Sequence, residues 1–253
     1  MNQVKPSMKL RPRVDVRVPD AAMVLSAGLG RRMRPLTATK PKPLIEVNGR
    51  ALIDYSLAGL ANSGVKRAVV NVHYLAGQVE AHVTRQTHGL DIRLSDEREE
   101  LLETGGGVKK ALPLIDADPF VVTNSDNIVI DGPMDTVSLL AERWDPKTMD
   151  ALLLLVPLAK ATGYEGVGDF RMDGTGKVER RGGRRLAPFI YSGTQIVSKR
   201  MFDNSPDGKF SFNLLWDRLI SEGRLYGLSH PGEWYHVGTP DAVKRTAALL
   251  GVG

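Results

Sequence analysis

The stretch SAGLGRRMRPLTATKPKPL, residues 26–44, carries most of the functional information in this chain and also indicates its fold. It follows Ala21–Leu25 (AAMVL), a short apolar run that predicts a buried strand. Gly28 and Gly30 lack Cβ atoms, so backbone amides there can approach phosphate oxygens closely. The cations of the stretch are Arg31, Arg32, Arg34, Lys40 and Lys42. This combination predicts a loop that holds a nucleoside triphosphate.

Lys42 stands between Pro41 and Pro43, whose rings fix φ and stiffen the backbone around it. A surface turn with a solvated basic face is the alternative interpretation of these residues. Two familiar phosphate loops do not fit. The stretch lacks the G-x-x-x-x-G-K-[ST] spacing of a P-loop, and Met33 stands where a dinucleotide fingerprint needs its third glycine. Neither a P-loop ATPase nor a Rossmann dehydrogenase is indicated.

Length and composition narrow the class of protein. At 253 residues the chain can bury a substantial core, and one elaborated domain fits better than two independent ones. The absence of cysteine excludes disulfides and thiolate chemistry and is compatible with a reducing cytoplasm. No apolar run approaches the roughly 20 residues that cross a bilayer, and residues 1–20 form a basic tail without the apolar core of a secretory signal. We therefore expect a cytoplasmic protein with no membrane partner.

The charge pattern favours small anionic ligands over nucleic acid. The net charge is +5 and the pI is about 9.4. The basic residues concentrate in residues 31–42, residues 180–185 and the tail, with little aromatic interleaving. Stacking platforms for bases are therefore not evident, and phosphate-bearing substrates explain the charge without a nucleic-acid partner.

The first half of the chain alternates predicted strands with predicted helices. Strands are predicted at residues 21–25, 67–72, 91–94 and 119–123, and helices at residues 51–62, 75–85 and 106–112. This alternation implies right-handed crossovers and a mainly parallel sheet. Ligands of such sheets bind outside the carboxyl ends of the strands, which is where residues 26–42 and 124–126 fall.

The second half is richer in strands. They are predicted at residues 151–156, 167–172, 177–180 and 188–197, before helices at residues 212–222 and 239–250. We expect these strands to cover the first sheet and to form a second ligand pocket. The predicted fold class is therefore α/β, with a Rossmann-like, mainly parallel sheet flanked by helices and an added β-rich portion.

The order of the motifs resembles that of one enzyme family. Residues 27–37 are similar to the signature A-G-x-G-T-R-M-x-P-L-T of sugar-1-phosphate nucleotidylyltransferases, with Arg31 in place of the usual threonine. The P-K-P-L element of that family stands at residues 41–44. Further matches follow at residues 102–107 (LETGGG), 124–126 (NSD), 191–193 (YSG) and 234–240 (WYHVGTP). Several ordered motifs over about residues 21–250 are more specific than any one of them.

The resemblance implies a fold of the nucleotide-diphospho-sugar transferase type over residues 21–253. It implies one domain, with a nucleotide-binding half at residues 21–150 and a sugar-binding half at residues 151–253. In the implied reaction, a sugar-1-phosphate oxygen attacks the α-phosphorus of a nucleoside triphosphate, giving a nucleotide sugar and pyrophosphate. The attacking phosphate is already an anion, so positioning, charge neutralisation and Mg²⁺ carry the catalysis. The implied catalytic residues are Arg32, Lys42 and Asp126.

The same motifs imply the binding residues. The nucleotide-binding set is Ala27, Gly28, Gly30, Arg31, Arg32, Lys42, Glu97 and Gly105. The sugar-binding set is Thr104, Gly106, Gly168, Ser192, Gly193 and Asn213. The Glu97 carboxylate could accept from uracil N3–H or from the two edge donors of guanine, so UTP and GTP both stay open. An arginine of residues 180–185 could receive the sugar phosphate bidentately, and the sequence does not single one out.

Asp126 and His236 are the implied metal ligands. Asp126 follows a predicted strand and suits Mg²⁺, although a strand-end aspartate also commonly caps a turn. Relatives usually carry a second aspartate where this chain has His236, and imidazole suits Mn²⁺ better than Mg²⁺. His236 therefore ligates a metal directly, acts through water or is a bystander.

Within the family, residues 101–107 are similar to the corresponding turn of bacterial N-acetylmuramate-1-phosphate uridylyltransferases. This similarity favours UTP, N-acetylmuramate 1-phosphate and a role in cell-wall sugar recycling. The alternatives in the same class are a mannose-1-phosphate guanylyltransferase and a glucose-1-phosphate-type nucleotidylyltransferase. A catalytically silent nucleotide-sugar-binding regulatory subunit is the non-enzyme alternative, which His236 favours and the intact Gly30, Arg32, Lys42 and Asp126 oppose. The sequence does not indicate an oligomeric state.

Overall fold

The computed structural model describes residues 16–251, so most of the predicted tail lies outside the described residues. Within that range the chain forms fourteen strands and six α-helices. The strands are β1 (Ala21–Leu25), β2 (Glu46–Val47), β3 (Arg50–Ala51), β4 (Arg67–Val72), β5 (Asp91–Asp96), β6 (Phe120–Asn124), β7 (Asn127–Ile130), β8 (Ala151–Pro157), β9 (Ala161–Thr162), β10 (Phe170–Met172), β11 (Val178–Arg180), β12 (Phe189–Val197), β13 (Leu225–Ser229) and β14 (Glu233–His236). The helices are α1 (Leu52–Asn62), α2 (Ala76–Arg85), α3 (Glu103–Ala111), α4 (Thr136–Arg143), α5 (Phe212–Ser221) and α6 (Pro240–Leu250). None of the helices in the described range has the length and apolar character needed to cross a membrane.

Nine of the strands form one mixed sheet. Its order is β11-β10-β12-β6-β1-β4-β5, with β8 beside β12 and β13 beside β8. The four adjacent strands β6, β1, β4 and β5 are parallel to one another, which confirms the predicted α/β class. Strand β12 pairs antiparallel with β6, from Thr194 opposite Thr123 to Val197 opposite Phe120. The prediction that the second-half strands cover the first sheet is wrong, because β12 pairs with the open edge of β6 and β8, β10 and β11 extend the sheet from β12.

The central strands are buried on both faces, which is why their sequences are continuous apolar runs. Met23 of β1 belongs to one core with Val108 of α3 and Leu215 of α5. Val24 belongs to the opposite core, with Leu57 of α1 and residues of α2 and α4. Each fully buried side chain of this size contributes about 1.5–3 kcal/mol. The two cores hold the sheet between two layers of helices.

A second, three-stranded sheet has the order β7-β14-β9. Strand β14 runs antiparallel to β7, and their register places His236 opposite Asn127. Neither strand is predicted from the sequence, because four residues are too few for the alternation of a strand to stand out. This pairing brings the late motif at residues 234–240 beside the residues that follow β6.

Helix α3 begins at Glu103, three residues earlier than predicted. Consecutive glycines disfavour a helix, which is why the sequence predicts a turn here. The carbonyl of Phe210 accepts from the amides of Gly105, at 2.9 Å, and Gly106, at 3.0 Å. These tertiary contacts fix the first helical turn despite its composition. The predicted stop at Pro113 holds, since Pro113 lies in the 3₁₀ turn that follows α3.

One predicted strand of the second half is much shorter than expected. The strand predicted at residues 167–172 is limited to Phe170–Met172. Gly168 interrupts it with φ at +81°, and a Cβ there would lie 2.1 Å from the carbonyl oxygen of Ala187. The chain turns at this glycine before β10 begins.

Gly106 provides a test of the packing of α3. A Cβ built on Gly106 would lie 2.1 Å from the carbonyl oxygen of Gly208, which is a backbone atom. We expect Gly106→Ala to lower the free energy of unfolding by about 1–3 kcal/mol, the usual cost of overpacking, as measured by urea unfolding.

The control is Gly59→Ala in α1, where nothing lies within 4 Å of the added Cβ. We expect that variant to gain about 0.5–1 kcal/mol, because alanine restricts the unfolded chain more than glycine does. An unchanged unfolding midpoint for Gly106→Ala would contradict the close contact between α3 and Gly208.

Candidate active site

The loops that follow β1 and β6 meet at one cavity. The two strands are parallel neighbours, and Leu25 at the end of β1 is paired with Asn124 at the end of β6. Their carboxyl ends therefore lie side by side, at the edge where the sequence predicts the ligand. The cavity has a volume of about 370 Å³. Its lining includes the predicted site residues Ala27, Gly28, Lys42, Thr104 and Asp126.

Lys42 and Asp126 form an ion pair in this cavity. The Nζ atom of Lys42 donates to Oδ2 of Asp126 at 2.7 Å. Only 11% of the Lys42 side chain and 30% of the Asp126 side chain are exposed. Partly buried charges attract each other more strongly than exposed ones, so the pair holds both groups in place. The structure thus brings together two predicted catalytic residues that are 84 positions apart in the sequence.

The glycine turn packs tightly against Lys42. Gly30 has φ at +61°, in the left-handed region that glycine adopts without strain. A Cβ on Gly30 would lie 3.0 Å from Cγ2 of Thr37 and 3.1 Å from Cβ of Lys42. The Thr37 hydroxyl donates to the Gly30 carbonyl at 2.8 Å. Gly30 therefore lets the loop fold back on itself and present Lys42 to the cavity.

Arg31 and Arg32 lie beside the cavity, outside its lining. They belong to a 3₁₀ turn, Arg31–Met33, in which Met33 is fully buried and both arginines are exposed. Met33 thus anchors the turn and leaves the two guanidinium groups in solvent. Their contacts with a triphosphate stay predictions.

A buried chain of hydrogen bonds positions this loop from behind. The Ser26 amide donates to Oδ1 of Asn71 at 2.7 Å, and Nδ2 of Asn71 donates to Oε1 of Glu97 at 2.7 Å. Oε2 of Glu97 accepts from the Leu102 amide at 3.0 Å. Glu97 is 0% exposed, so its carboxylate lies behind the cavity wall and would have to leave these partners to reach a base.

Asn71 is a site residue that sequence reasoning missed. It lines the cavity and connects the loop after β1 to Glu97. One feature of the sequence could have revealed it: Asn71 is the single amide side chain within the apolar strand RAVVNV. An unpaired polar group is costly in a buried strand, so a partner for this amide was to be expected.

Asp126 and His236 carry donor atoms that a divalent cation could use. Oδ1 of Asp126 is buried and has no hydrogen-bond partner among the described residues. Nδ1 of His236 lies 3.1 Å from Oδ1 of Asn127, whose amide nitrogen donates to the Ser192 carbonyl at 3.0 Å. That second bond fixes the amide orientation, so Nδ1 of His236 is the donor to Asn127. Nε2 is then left with the lone pair that a metal ligand needs.

The surroundings of His236 favour its neutral ring. Burial lowers its pKa, the Asp126 charge opposes this effect, and the Lys42 and Arg32 charges add to it. Between residues 16 and 251 there is no group of three or more histidine, cysteine or acidic side chains that could hold a metal ion. A cation here would depend on Asp126, with substrate phosphates and water completing its shell, as is common for Mg²⁺.

Of the predicted sugar-binding residues, Thr104 lines the cavity. Its hydroxyl accepts from the Phe212 amide at 3.0 Å, which ties α3 to the start of α5. Ser211, which caps α5, also lines the cavity and was not predicted. Asn213 is exposed in the first turn of α5, outside the lining.

The other predicted sugar-binding residues are packed into the backbone outside the cavity lining. Gly106, Gly168 and Gly193 leave no room for a Cβ, which would lie 2.1, 2.1 and 2.7 Å from its nearest neighbour. Ser192 is fully buried, and its carbonyl accepts from the Trp234 indole at 2.8 Å. In this structure these residues support the site rather than open onto it.

Arg180 is already engaged by the protein. Its guanidinium lies over the rings of Phe170, at 4.9 Å, and Trp216, at 5.6 Å. Its Nε donates to Oδ1 of Asp217 at 2.6 Å. The arginine predicted to receive the sugar phosphate is therefore to be sought among Arg181, Arg184 and Arg185. The last two of these are exposed.

Comparison with known proteins establishes the family. Residues 21–181 match the family model described as nucleotidyl transferase. The chain is 44% identical to the N-acetylmuramate alpha-1-phosphate uridylyltransferase of Caulobacter vibrioides, over 92% of this chain and 97% of that protein. It is 35% identical to the protein of the same name from Neisseria meningitidis serogroup B, over 91% of this chain and 98% of that one. The crystal structure of HddC from Yersinia pseudotuberculosis complexed with GMP-PN has the same fold, with a TM-score of 0.72 and 24% identity over 91% of this chain and 99% of that chain.

This chain belongs to the nucleotidyl transferase family. Its class is that of the sugar-1-phosphate nucleotidylyltransferases, which confirms the resemblance in motif order. The substrates of the class are a nucleoside triphosphate and a sugar 1-phosphate.

Asp126→Asn tests the cation site. The amide keeps the shape of the side chain but loses the charge that attracts a cation. We expect metal-dependent activity to fall at least a hundredfold and metal–nucleotide binding to weaken in isothermal titration calorimetry. Asp116→Asn is the control, because Asp116 is an exposed carboxylate paired with Arg67 and Arg93. Metal titration curves equal to those of the wild type would reduce Asp126 to a structural role.

His236 gives a prediction about pH and metal preference. The neutral ring is the ligating form, and burial places its pKa below the ordinary value near 6.5. If His236 ligates the metal, activity is retained as pH falls to about 6.5 and is lost only below it. In the rate profile of His236→Ala this loss of activity below about pH 6.5 is then absent. His236→Asp shifts the metal preference from Mn²⁺ towards Mg²⁺. The measurement is the rate at saturating substrates as a function of pH and of the metal, for the wild type and both variants. Profiles equal to those of the wild type in both variants would make His236 a bystander.

Proposed function

We propose that this protein transfers the uridylyl group of UTP to N-acetylmuramate 1-phosphate. The observation that carries this proposal is the 44% identity, over nearly the whole of both chains, to a relative named for that activity. A second relative with that name, at 35% identity, supports it. The cavity beside the Lys42–Asp126 pair provides a site for the chemistry.

In the proposed reaction, an oxygen of the sugar phosphate attacks the α-phosphorus of UTP. A new P–O bond forms, the bond to the β-phosphate oxygen breaks, and pyrophosphate leaves with that electron pair. Lys42 would stabilise the negative charge that builds on the α-phosphate. Arg32 and the amides near Gly30 would hold the β- and γ-phosphates. The protein thus supplies positioning and charge, and no side chain forms a covalent bond to the substrate.

We further propose that Mg²⁺, or Mn²⁺, assists this reaction. The buried and unpartnered Oδ1 of Asp126 fits a hard divalent cation. When bound, the cation would neutralise phosphate charge in the transition state. Asp126 would hold it, and Lys42 can stay on the other carboxylate oxygen, Oδ2, until the nucleotide arrives.

The proposed substrates also bear on location and metabolic role. A nucleoside triphosphate and a sugar 1-phosphate are cytoplasmic metabolites, which supports a cytoplasmic enzyme. A nucleotide sugar made from N-acetylmuramate suits the recycling of cell-wall sugars.

A substrate matrix tests this function. Pyrophosphate release would be measured for UTP, GTP, CTP and ATP against the 1-phosphates of N-acetylmuramate, N-acetylglucosamine, mannose and glucose. We expect UTP with N-acetylmuramate 1-phosphate to give a kcat/KM at least tenfold above any other pair. Preference for GTP with mannose 1-phosphate would contradict the proposal, and no turnover of any pair would favour a silent subunit.

Lys42→Ala is the matched loss-of-function variant for that assay. We expect kcat to fall about a hundredfold or more, the scale of losing one transition-state donor. Lys66→Ala is the control, since Lys66 is 78% exposed and paired with Asp20 at the opposite end of the sheet. Turnover by Lys42→Ala close to that of the control would remove Lys42 from the mechanism.

A further inference from the structure

Glu103 is a cavity-lining residue held in a backbone conformation that favours glycine. It is the first residue of α3, and its φ is +61°. Its side chain is 46% exposed, and the residue lines the cavity together with Leu101 and Thr104. Side chains other than Asn and Asp rarely adopt this left-handed region, because Cβ crowds the following carbonyl.

The surrounding structure enforces this conformation. The amide of Leu102, the residue before Glu103, donates to the buried Glu97 carboxylate at 3.0 Å. The Leu102 carbonyl accepts from the Phe210 amide at 3.2 Å, and the Gly105 amide donates to the Phe210 carbonyl at 2.9 Å. The backbone is thus fixed on both sides of Glu103. Strain that persists in such a setting is concentrated at ligand-binding sites.

The visible partner of Glu103 does not account for the strain. Nζ of Lys209 lies 3.6 Å from its carboxylate, and the Lys209 side chain is 53% exposed. An ion pair that is this open to water stabilises the protein very little. A glycine would satisfy the same backbone without strain. The Glu103 side chain therefore has a use that the folded protein alone does not reveal.

The charges in the cavity limit that use. A carboxylate repels phosphate, so Glu103 would contact an uncharged part of the substrates. The ionised carboxylate only accepts hydrogen bonds, and the uncharged donors that both substrates share are hydroxyl groups on sugar rings. The phosphates belong with Lys42, whose positive charge lies in the cavity with Asp126.

We propose that Glu103 is a specificity-determining residue that accepts a hydrogen bond from a sugar-ring hydroxyl of a substrate. This inference rests on the proposed function, because it assumes that the cavity binds a nucleotide and a sugar phosphate. The hydroxyl comes either from the ribose of the nucleotide or from the pyranose of the sugar 1-phosphate. The chain keeps a strained glutamate at this position because its carboxylate recognises that group.

The test uses Glu103→Gln and Glu103→Gly. For the substrate pair that the wild type uses best, KM is measured for each substrate with the other saturating. We expect Glu103→Gly to raise one of the two KM values at least tenfold and Glu103→Gln to raise the same KM by a smaller factor, because the amide still accepts. A rise in the nucleotide KM identifies the ribose, which deoxynucleotides then confirm. A rise in the KM of the sugar 1-phosphate identifies the pyranose.

Two further measurements separate recognition from structure. Lys209→Ala removes the ion pair, and we expect both of its KM values to stay within twofold of the wild type. The melting temperature of Glu103→Gly should equal or exceed that of the wild type, because the strain is relieved. A structural role would instead lower the melting temperature and leave KM unchanged.

The proposal is overturned if both KM values of Glu103→Gly stay within threefold of the wild type, or if Lys209→Ala reproduces the effect of Glu103→Gly. Because the variants are compared on whichever pair the wild type prefers, a different preferred pair would refute the proposed function and leave this test intact. If no pair is turned over, the same comparison is made on the dissociation constants of UTP and of each sugar 1-phosphate, with the same limits.

Discussion

The parallel pairing of β1 with β6 is the constraint on which the site depends. It places Leu25 beside Asn124, so the glycine- and cation-rich loop and the Asn124–Asp126 turn leave the sheet at neighbouring points. Both strands are buried on both faces, and their backbones are held by two cores. The 2.7 Å contact between Lys42 and Asp126 follows from this arrangement. Catalysis that relies on charge and positioning needs such a rigid framework, because a displacement of about 1 Å in a catalytic group can cost a large factor in rate.

A buried polar network then shapes the cavity from behind. Burying the Glu97 carboxylate would be costly if it lacked partners, yet its two oxygens accept from Asn71 and Leu102. Asn71 in turn holds Ser26. One fully buried carboxylate therefore joins β4, the loop after β1 and the residue before α3. The same contact to Leu102 helps to hold Glu103 in its left-handed conformation, so the network that positions the loop after β1 also shapes the cavity wall at Glu103.

Much of the first half was predictable because its signals are local. The strands at Ala21–Leu25 and Arg67–Val72 have the predicted limits, since apolar runs between turn residues specify buried parallel strands. The motifs before Lys42 and at Asp126 pointed correctly to the edge of the sheet where the cavity lies. The first turn of α3 was not predictable, because contacts with Phe210 override the low helix propensity of its glycines. Strands β7 and β14 were missed because each is formed by pairing with a distant segment.

The sequence by itself determined the family, the α/β class and the position of the glycine- and cation-rich loop, because each depends on residue types at short spacing. The tertiary structure decided which of the predicted residues face the cavity. Glu97 and Ser192 are buried away from it, whereas Asn71, Ser211 and Glu103 are brought into its wall. The structure also decided the proton position on His236, since that depends on an amide held by Ser192 across the chain. These properties arise from contacts between residues far apart in the sequence, and such contacts exist only once the sheet and the helices have packed.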